Sequence, residues 1–134
     1  MNNRRHFIKQ SGLGAIGLSL IPQLSFGINS NTKLTILHTN DMHSHIHPFK
    51  SGRNKGLGGM AQRASLIKQI RKQEEHVLLL DAGDIFQGTP YFNFYRGELE
   101  FKLMSEMQYD AVTLGNHDFD NGLEGLKEQL PYAN

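Results

Sequence analysis

Apolar positions along this chain fall into two alternating kinds of run. Leu34-Thr35-Ile36-Leu37-His38-Thr39 is short, apolar and β-branched, and predicts a strand ending in Asn40-Asp41-Met42-His43. Val77-Leu78-Leu79-Leu80 is a continuous apolar run, the pattern of a strand covered on both faces, and it ends in Asp81-Ala82-Gly83-Asp84. Asp110-Ala111-Val112-Thr113-Leu114 predicts a third strand, which delivers Gly115-Asn116-His117-Asp118-Phe119-Asp120. Between the first two, Met60, Ala64, Ile67 and Ile70 recur at helical spacing from Met60 to about Glu75, with Arg63, Lys68, Arg71 and Lys72 outside. A second helix runs to Met107 from Phe92 or Glu98, Gly97 leaving its start open. A last one, Gly122 to Leu130, buries Leu123, Leu126 and Leu130.

The order β-α-β-α-β-α predicts an α/β fold with a mainly parallel sheet, right-handed crossovers and helices on its faces. Three strands are few for such a sheet, so the pattern reads as the first half of a domain. Ligands of open α/β sheets bind beyond the carboxyl ends of the strands, where all three polar motifs fall.

Composition removes several alternatives. The chain has no cysteine, which excludes a disulfide framework and thiolate metal sites and leaves any metal to His, Asp, Glu and Asn. A formal net charge of +1 gives no general case for a nucleic acid polymer as partner. The first residues read as an address: Arg4-Arg5-His6-Phe7-Ile8-Lys9 is followed by a Gly-rich apolar segment, Ser11 to Ile21, several residues short of the roughly twenty that a membrane span requires. This resembles a bacterial twin-arginine signal, with Ser25-Phe26-Gly27 as the cleavage region. The expected organisation is a signal over residues 1–27, a polar linker over 28–33, and a domain over 34–134. The twin-arginine machinery is the implied export partner, the bacterial periplasm or cell envelope the destination, and no stable membrane span is expected. Three of the 14 Lys and Arg lie in the signal, leaving 11 against 13 Asp and Glu, so the basicity does not belong to the domain.

The strand ends carry metal-competent side chains. Asp41 and His43 are two apart, and in extended chain both would face one side. Asp84 follows the second strand and Asn116 the third, each preceded by a glycine that lets the backbone turn. Asp, His, Asp and Asn form a hard, oxygen-rich set suited to divalent ions such as Mn²⁺, Zn²⁺, Fe²⁺ or Mg²⁺, and Asp84 is placed to bridge two of them. Adjacent residues diverge, so His117 is free to face substrate if Asn116 ligates metal. Asp120, three residues on, can reach His117 and hold its tautomer and charge. Other polar residues take structural readings: Asp81 a cap, His38 a packed core residue, His45 and His47 loop residues near the site, Asp118 a group that orders its loop. Lys50, Arg53 and Lys55 read as a solvated flexible loop, and Phe92, Phe94 and Tyr95 as core or interface.

Asp41-x-His43, Gly83-Asp84 with Gly88 four residues later, and Gly115-Asn116-His117-Asp118 together resemble the calcineurin-like metallophosphoesterase signature. Leu37 to His43, Asp81 to Asp84 and Gly115 to Asp120 are similar, more narrowly, to the 5′-nucleotidase branch, over essentially all of residues 33–134. The resemblance implies an α/β sandwich of which this chain is the first half, and two-metal hydrolysis of nucleotide phosphomonoesters. By the same resemblance Asp41, His43 and Asp84 would hold one divalent ion and Asp84 and Asn116 the second. His117, paired with Asp120, would stabilise the phosphoryl transition state. Further metal-binding histidines and a nucleoside-binding domain are expected downstream. The same motifs serve 2′,3′-cyclic phosphodiesterases, UDP-sugar hydrolases and thiosulfohydrolases, and the alternative of a different class is that the chain by itself is a catalytically inert fragment.

Overall fold

The computed structural model describes residues 32–134, and the signal expected over residues 1–27 lies outside the described residues, as does most of the linker. Three strands form one parallel sheet in the order β1-β2-β3: β1 is Thr35–Thr39, β2 Val77–Asp81 and β3 Ala111–Val112. Thr35 pairs with Val77 and Thr39 with Asp81, while β3 pairs only with Leu80 and Asp81 at the carboxyl end of β2. The third strand is therefore two residues long instead of the expected five. At its start the Asp110 side chain turns back and accepts the Leu79 amide at 2.7 Å.

α1, Met60–Gln73, connects β1 to β2 after the long loop. The second helix is two: α2, Pro90–Tyr95, and α3, Glu98–Glu106. Thr89 caps α2 by accepting the Tyr91 amide and Pro90 opens it, a strong local start. Arg96 at φ 55° and Gly97 at φ 110° then break the chain between the two helices. α4 is Gly122–Gln129.

Successive right-handed crossovers between neighbouring strands carry their helices to the same face of the sheet. The core accordingly lies on one side, where Leu79 and Leu37 meet Met60 and Ile67 of α1, Phe101 and Met104 of α3, and Leu126 of α4. Phe86 sits at its centre, its ring 4.9 Å from that of Phe101 and 5.6 Å from that of Phe92. Alternate residues face the other way, and no layer covers them among the described residues. Ile36 is 58% exposed and Leu78 and Leu80 only half-buried. The continuous apolar run of β2 thus has one covered face, not two.

The same asymmetry corrects several further expectations. His38 is exposed on the open face, not packed in the core. In α4 Leu126 is the one buried leucine, with Gln129 buried near it, while Leu123 and Leu130 project where no described residue forms a second layer. Arg63 and Arg71 turn inward: Arg63 donates to the sulfurs of Met42 and Met60, and Arg71 to the carbonyls of Met107 (2.7 Å) and Gln108 (2.6 Å). The latter satisfies carbonyls at the end of α3 that the helix itself leaves free. Phe92 is core, whereas Phe94 is 81% exposed.

Candidate metal centre

All three strands point their carboxyl ends at one edge, and the loops that follow are joined by their backbones. The Asp41 amide donates to the Gly83 carbonyl (2.9 Å), the His43 amide to Asp84 (3.0 Å) and the Ser44 amide to Ile85 (2.9 Å). Asp41, His43, Ser44 and Asp84 take left-handed φ values of 49°, 44°, 52° and 56°. Asp41 and His43 are therefore not in the extended chain that their spacing suggested. Their side chains meet because the backbone curls, and Asp and Asn-like residues tolerate that region better than β-branched ones. Four non-glycine residues there mark a strained segment of the kind found at functional sites.

Two glycines let the second and third loops approach. A Cβ on Gly83, which has φ 95°, would lie 2.4 Å from the Gly115 nitrogen. A Cβ on Gly115 would lie 2.1 Å from Oδ1 of Asp84. Gly115 does not have a positive φ, so its glycine serves close approach and not the sharp turn the sequence suggested. Gly88 leaves room in the same manner for the carbonyl of His43, 2.8 Å from where a Cβ would sit.

The result is a cluster in which Asp41, His43 and Asp84 each offer a ligand atom within 4.8 Å of the others. His43 Nε2 lies 3.7 Å from Asp41 Oδ1, and the buried His43 Nδ1 has no hydrogen-bond partner among the described residues. Two carboxylates and an imidazole with a nitrogen to spare suit a hard divalent cation. Asn116 sits between two residues that touch Asp84, and its side chain is exposed. The His117 amide donates to Asp84 Oδ1 at 2.9 Å, and its ring stands edge-on to that of His43, centroids 5.2 Å apart.

His117 opens a short 3₁₀ turn, His117–Phe119, that precedes α4. This turn brings Asp120 Oδ2 to 3.0 Å from His117 Nδ1. The hydrogen bond to Asp120 holds the His117 pKa above the ordinary 6.5, and the charges of Asp120, Asp84 and Asp118 add to it. His117 is thereby favoured as a cation facing the cluster.

Beneath the site lie two buried carboxylates outside the cluster. Asp81 accepts the Thr39 hydroxyl (2.5 Å) and the Gly83 amide (2.9 Å), and Tyr109 hydrogen-bonds the same hydroxyl at 2.8 Å. Burial pushes the Asp81 carboxyl and the Tyr109 phenol up. Asp118 accepts four backbone amides, described further below. Both are structural, as the sequence suggested. Sequence reasoning had no means of finding the cleft of about 940 Å³ that opens beside the cluster between residues 45–51 and 89–95. His45, His47 and Lys50 line it together with Phe49, Tyr91 and Phe94, residues from the loop after β1 and from α2 that share no periodicity.

The profile described as calcineurin-like phosphoesterase matches residues 34–133. A snake venom 5′-nucleotidase from Crotalus adamanteus is 50% identical over 103 residues, which are 73% of this chain and 18% of that protein. The 5′-nucleotidase of Homo sapiens is 47% identical over 104 residues, again 73% and 18%. Among solved structures, a 5′-nucleotidase precursor from Thermus thermophilus superposes with a TM-score of 0.68 at 43% identity, covering 75% of this chain and 20% of that one. An NAD nucleotidase from Haemophilus influenzae gives 0.69 at 33%, covering 75% and 19%. The chain thus spans about a fifth of the length of these relatives. Three strand-end motifs in one fold, matched over nearly all the described residues, place this chain in the calcineurin-like phosphoesterase family.

Proposed function

We propose that this chain carries the metal-holding part of an exported phosphohydrolase of the 5′-nucleotidase type, acting on nucleotide phosphomonoesters. The observation that carries the reading is the convergence of Asp41, His43 and Asp84 within 4.8 Å, with the His117 ring beside them. The 5′-nucleotidase relatives supply the substrate class. Asp41, His43 and Asp84 would hold one divalent ion, and Asp84 and Asn116 a second. When bound, such ions supply an activated water and neutralise charge on the phosphoryl group.

The chain's own residues do the remaining work. His117, whose proton Asp120 favours, donates a hydrogen bond to a phosphoryl oxygen and opposes the charge that accumulates there. Asp120 fixes which ring nitrogen faces the substrate, since Nδ1 is occupied by its carboxylate. Residues 1–27 act as a twin-arginine signal, residues 28–33 as a linker, and the bacterial periplasm or envelope is the site of action. No helix among the described residues is long and apolar enough to cross a membrane.

Phosphate release from AMP with Mn²⁺ present tests the reading in the full chain. Release that disappears in Asn116→Ala and His117→Ala supports it, and release that survives both overturns the roles given to them. Absence of any release from the wild-type chain, with Mn²⁺ bound, favours an inert fragment whose activity requires further residues.

A further inference from the structure

The amides of Gly83, Asp84, Ile85 and Phe86 are four consecutive donors that begin two residues after β2, and every one of them ends on a buried carboxylate. Asp81 Oδ1 takes Gly83. Asp118 takes the other three: Oδ2 accepts Asp84 at 3.0 Å, and Oδ1 accepts Ile85 at 2.9 Å and Phe86 at 3.0 Å. Oδ2 also accepts the Gly115 amide at 2.8 Å, from the loop to which Asp118 itself belongs. Asp118 is 2% exposed, and its buried carboxylate is met by four backbone N–H groups. A buried charge of this kind is tolerated only when its hydrogen bonds are complete, and here both oxygens are used twice.

The exchange is reciprocal. The third loop sends the Asp118 carboxylate into the second, and the second returns the Asp84 carboxylate to the His117 amide at 2.9 Å. Asp84 holds a left-handed φ of 56°, a conformation costing roughly 1–2 kcal/mol in an L-residue unless its surroundings fix it. The bond from its own amide to Asp118 is one of the contacts that do so. We infer that Asp118 is a positioning residue for the metal centre, its carboxylate setting the backbone from which Asp84 projects and joining the Asp84 loop to the Asn116–His117 loop before any ion binds. The inference rests on the reading of Asp84 as a metal ligand.

Asp118→Asn is the sharp variant. It keeps the size, but in either flip an NH₂ group replaces one oxygen and meets two backbone N–H donors. Asp118→Glu keeps the charge and both acceptors. Isothermal titration of Mn²⁺ into the metal-free full chain is expected to show binding weakened about 10- to 100-fold in Asp118→Asn, the range for groups that orient ligands, and less in Asp118→Glu. Leu126→Ala, which empties a core position of α4, controls for general destabilisation and should bind Mn²⁺ within twofold of wild type. An Asp118→Asn affinity within twofold of wild type overturns the proposal, as does an equal loss in Leu126→Ala.

Amide hydrogen exchange on the metal-free chain gives a readout independent of the ion. In Asp118→Asn the amides of Asp84, Ile85, Phe86 and Gly115 should exchange at least tenfold faster while those of Leu79 and Leu80 stay protected. Unchanged exchange at the four overturns the proposal. If Asp118→Asn does not fold, the wild-type chain decides: the four amides must lose protection together as denaturant rises, and separate losses overturn it. A wild-type chain that fails to bind Mn²⁺ refutes Asp84 as a ligand, while the exchange result still decides what Asp118 holds.

Discussion

The loops after β1 and β2 and the loop after β3 reach the same site by different means. The first two are laced together by backbone hydrogen bonds from Asp41, His43 and Ser44, and they hold five non-glycine residues, Gln87 among them, in left-handed conformations. The third is regular: Asn116 has φ −68° and ψ −35°, Asp120 φ −59° and ψ −29°, and a 3₁₀ turn lies between them. It joins the others through carboxylates and through the bare backbones of Gly83 and Gly115. Strain is concentrated where Asp41, His43 and Asp84 converge, and ordinary backbone carries the pair His117 and Asp120. Groups that must crowd together need an unusual backbone, whereas groups that face outward do not.

The contact between the loops is where the comparison breaks most easily. Gly115→Ala puts a methyl 2.1 Å from Asp84 Oδ1, and Gly83→Ala puts one 2.4 Å from the Gly115 nitrogen. Each is expected to cost about 3 kcal/mol in urea unfolding, the upper range for overpacking. Gly52→Ala, with a similar positive φ and nothing within 4 Å, should cost only about 1 kcal/mol. Equal costs at Gly52 and Gly83, which share a positive φ, would mean that conformation, and not approach, is what glycine provides there.

A smaller effect of opposite sign tests the strain. Ser44 is wholly buried, its φ is 52°, and its hydroxyl has no partner among the described residues. Ser44→Gly removes both penalties at the expense of a more flexible unfolded chain, and should stabilise by about 1 kcal/mol. A loss of stability in thermal or urea unfolding would show that the hydroxyl does something for the fold.

The smallest effect belongs to the unstrained loop. The His117 pKa is raised, chiefly by Asp120, so the pair contributes fully below 6.5 and its contribution is lost as pH rises through the raised value. Asp120→Asn should lower the His117 pKa in an NMR titration of the metal-free chain and leave stability above that range nearly unchanged. A His117 titration that ignores the substitution would show that the hydrogen bond to Asp120 is not what holds its proton.

Much of this was legible in the residues. Alternating runs gave the element order because the strand and helix periods differ, and the parallel sheet followed from that alternation. The three motifs were visible because chemistry placed after a strand stands next to unmistakable apolar runs. What the residues concealed depends on neighbours distant in the chain. Asp110 reads as a strand residue until Leu79 offers its amide, and Leu123 reads as core until no second layer meets it. The left-handed turn at Asp41 to Ser44 has no periodicity of its own. It is imposed by Gly83, Asp84 and Ile85, some forty residues away in sequence.

That dependence has a consequence for how the protein forms. Thr39 and Asp81 are 42 residues apart, and Asp118 lies 34 residues from the Asp84 amide it accepts. No short segment contains the ligands of the cluster, so an ion cannot seed the chain in the way zinc gathers a small finger. The sheet must zip through two long-range parallel pairings first, an order of events set by loop closure. An ion would then meet Asp41, His43 and Asp84 already brought together by the sheet.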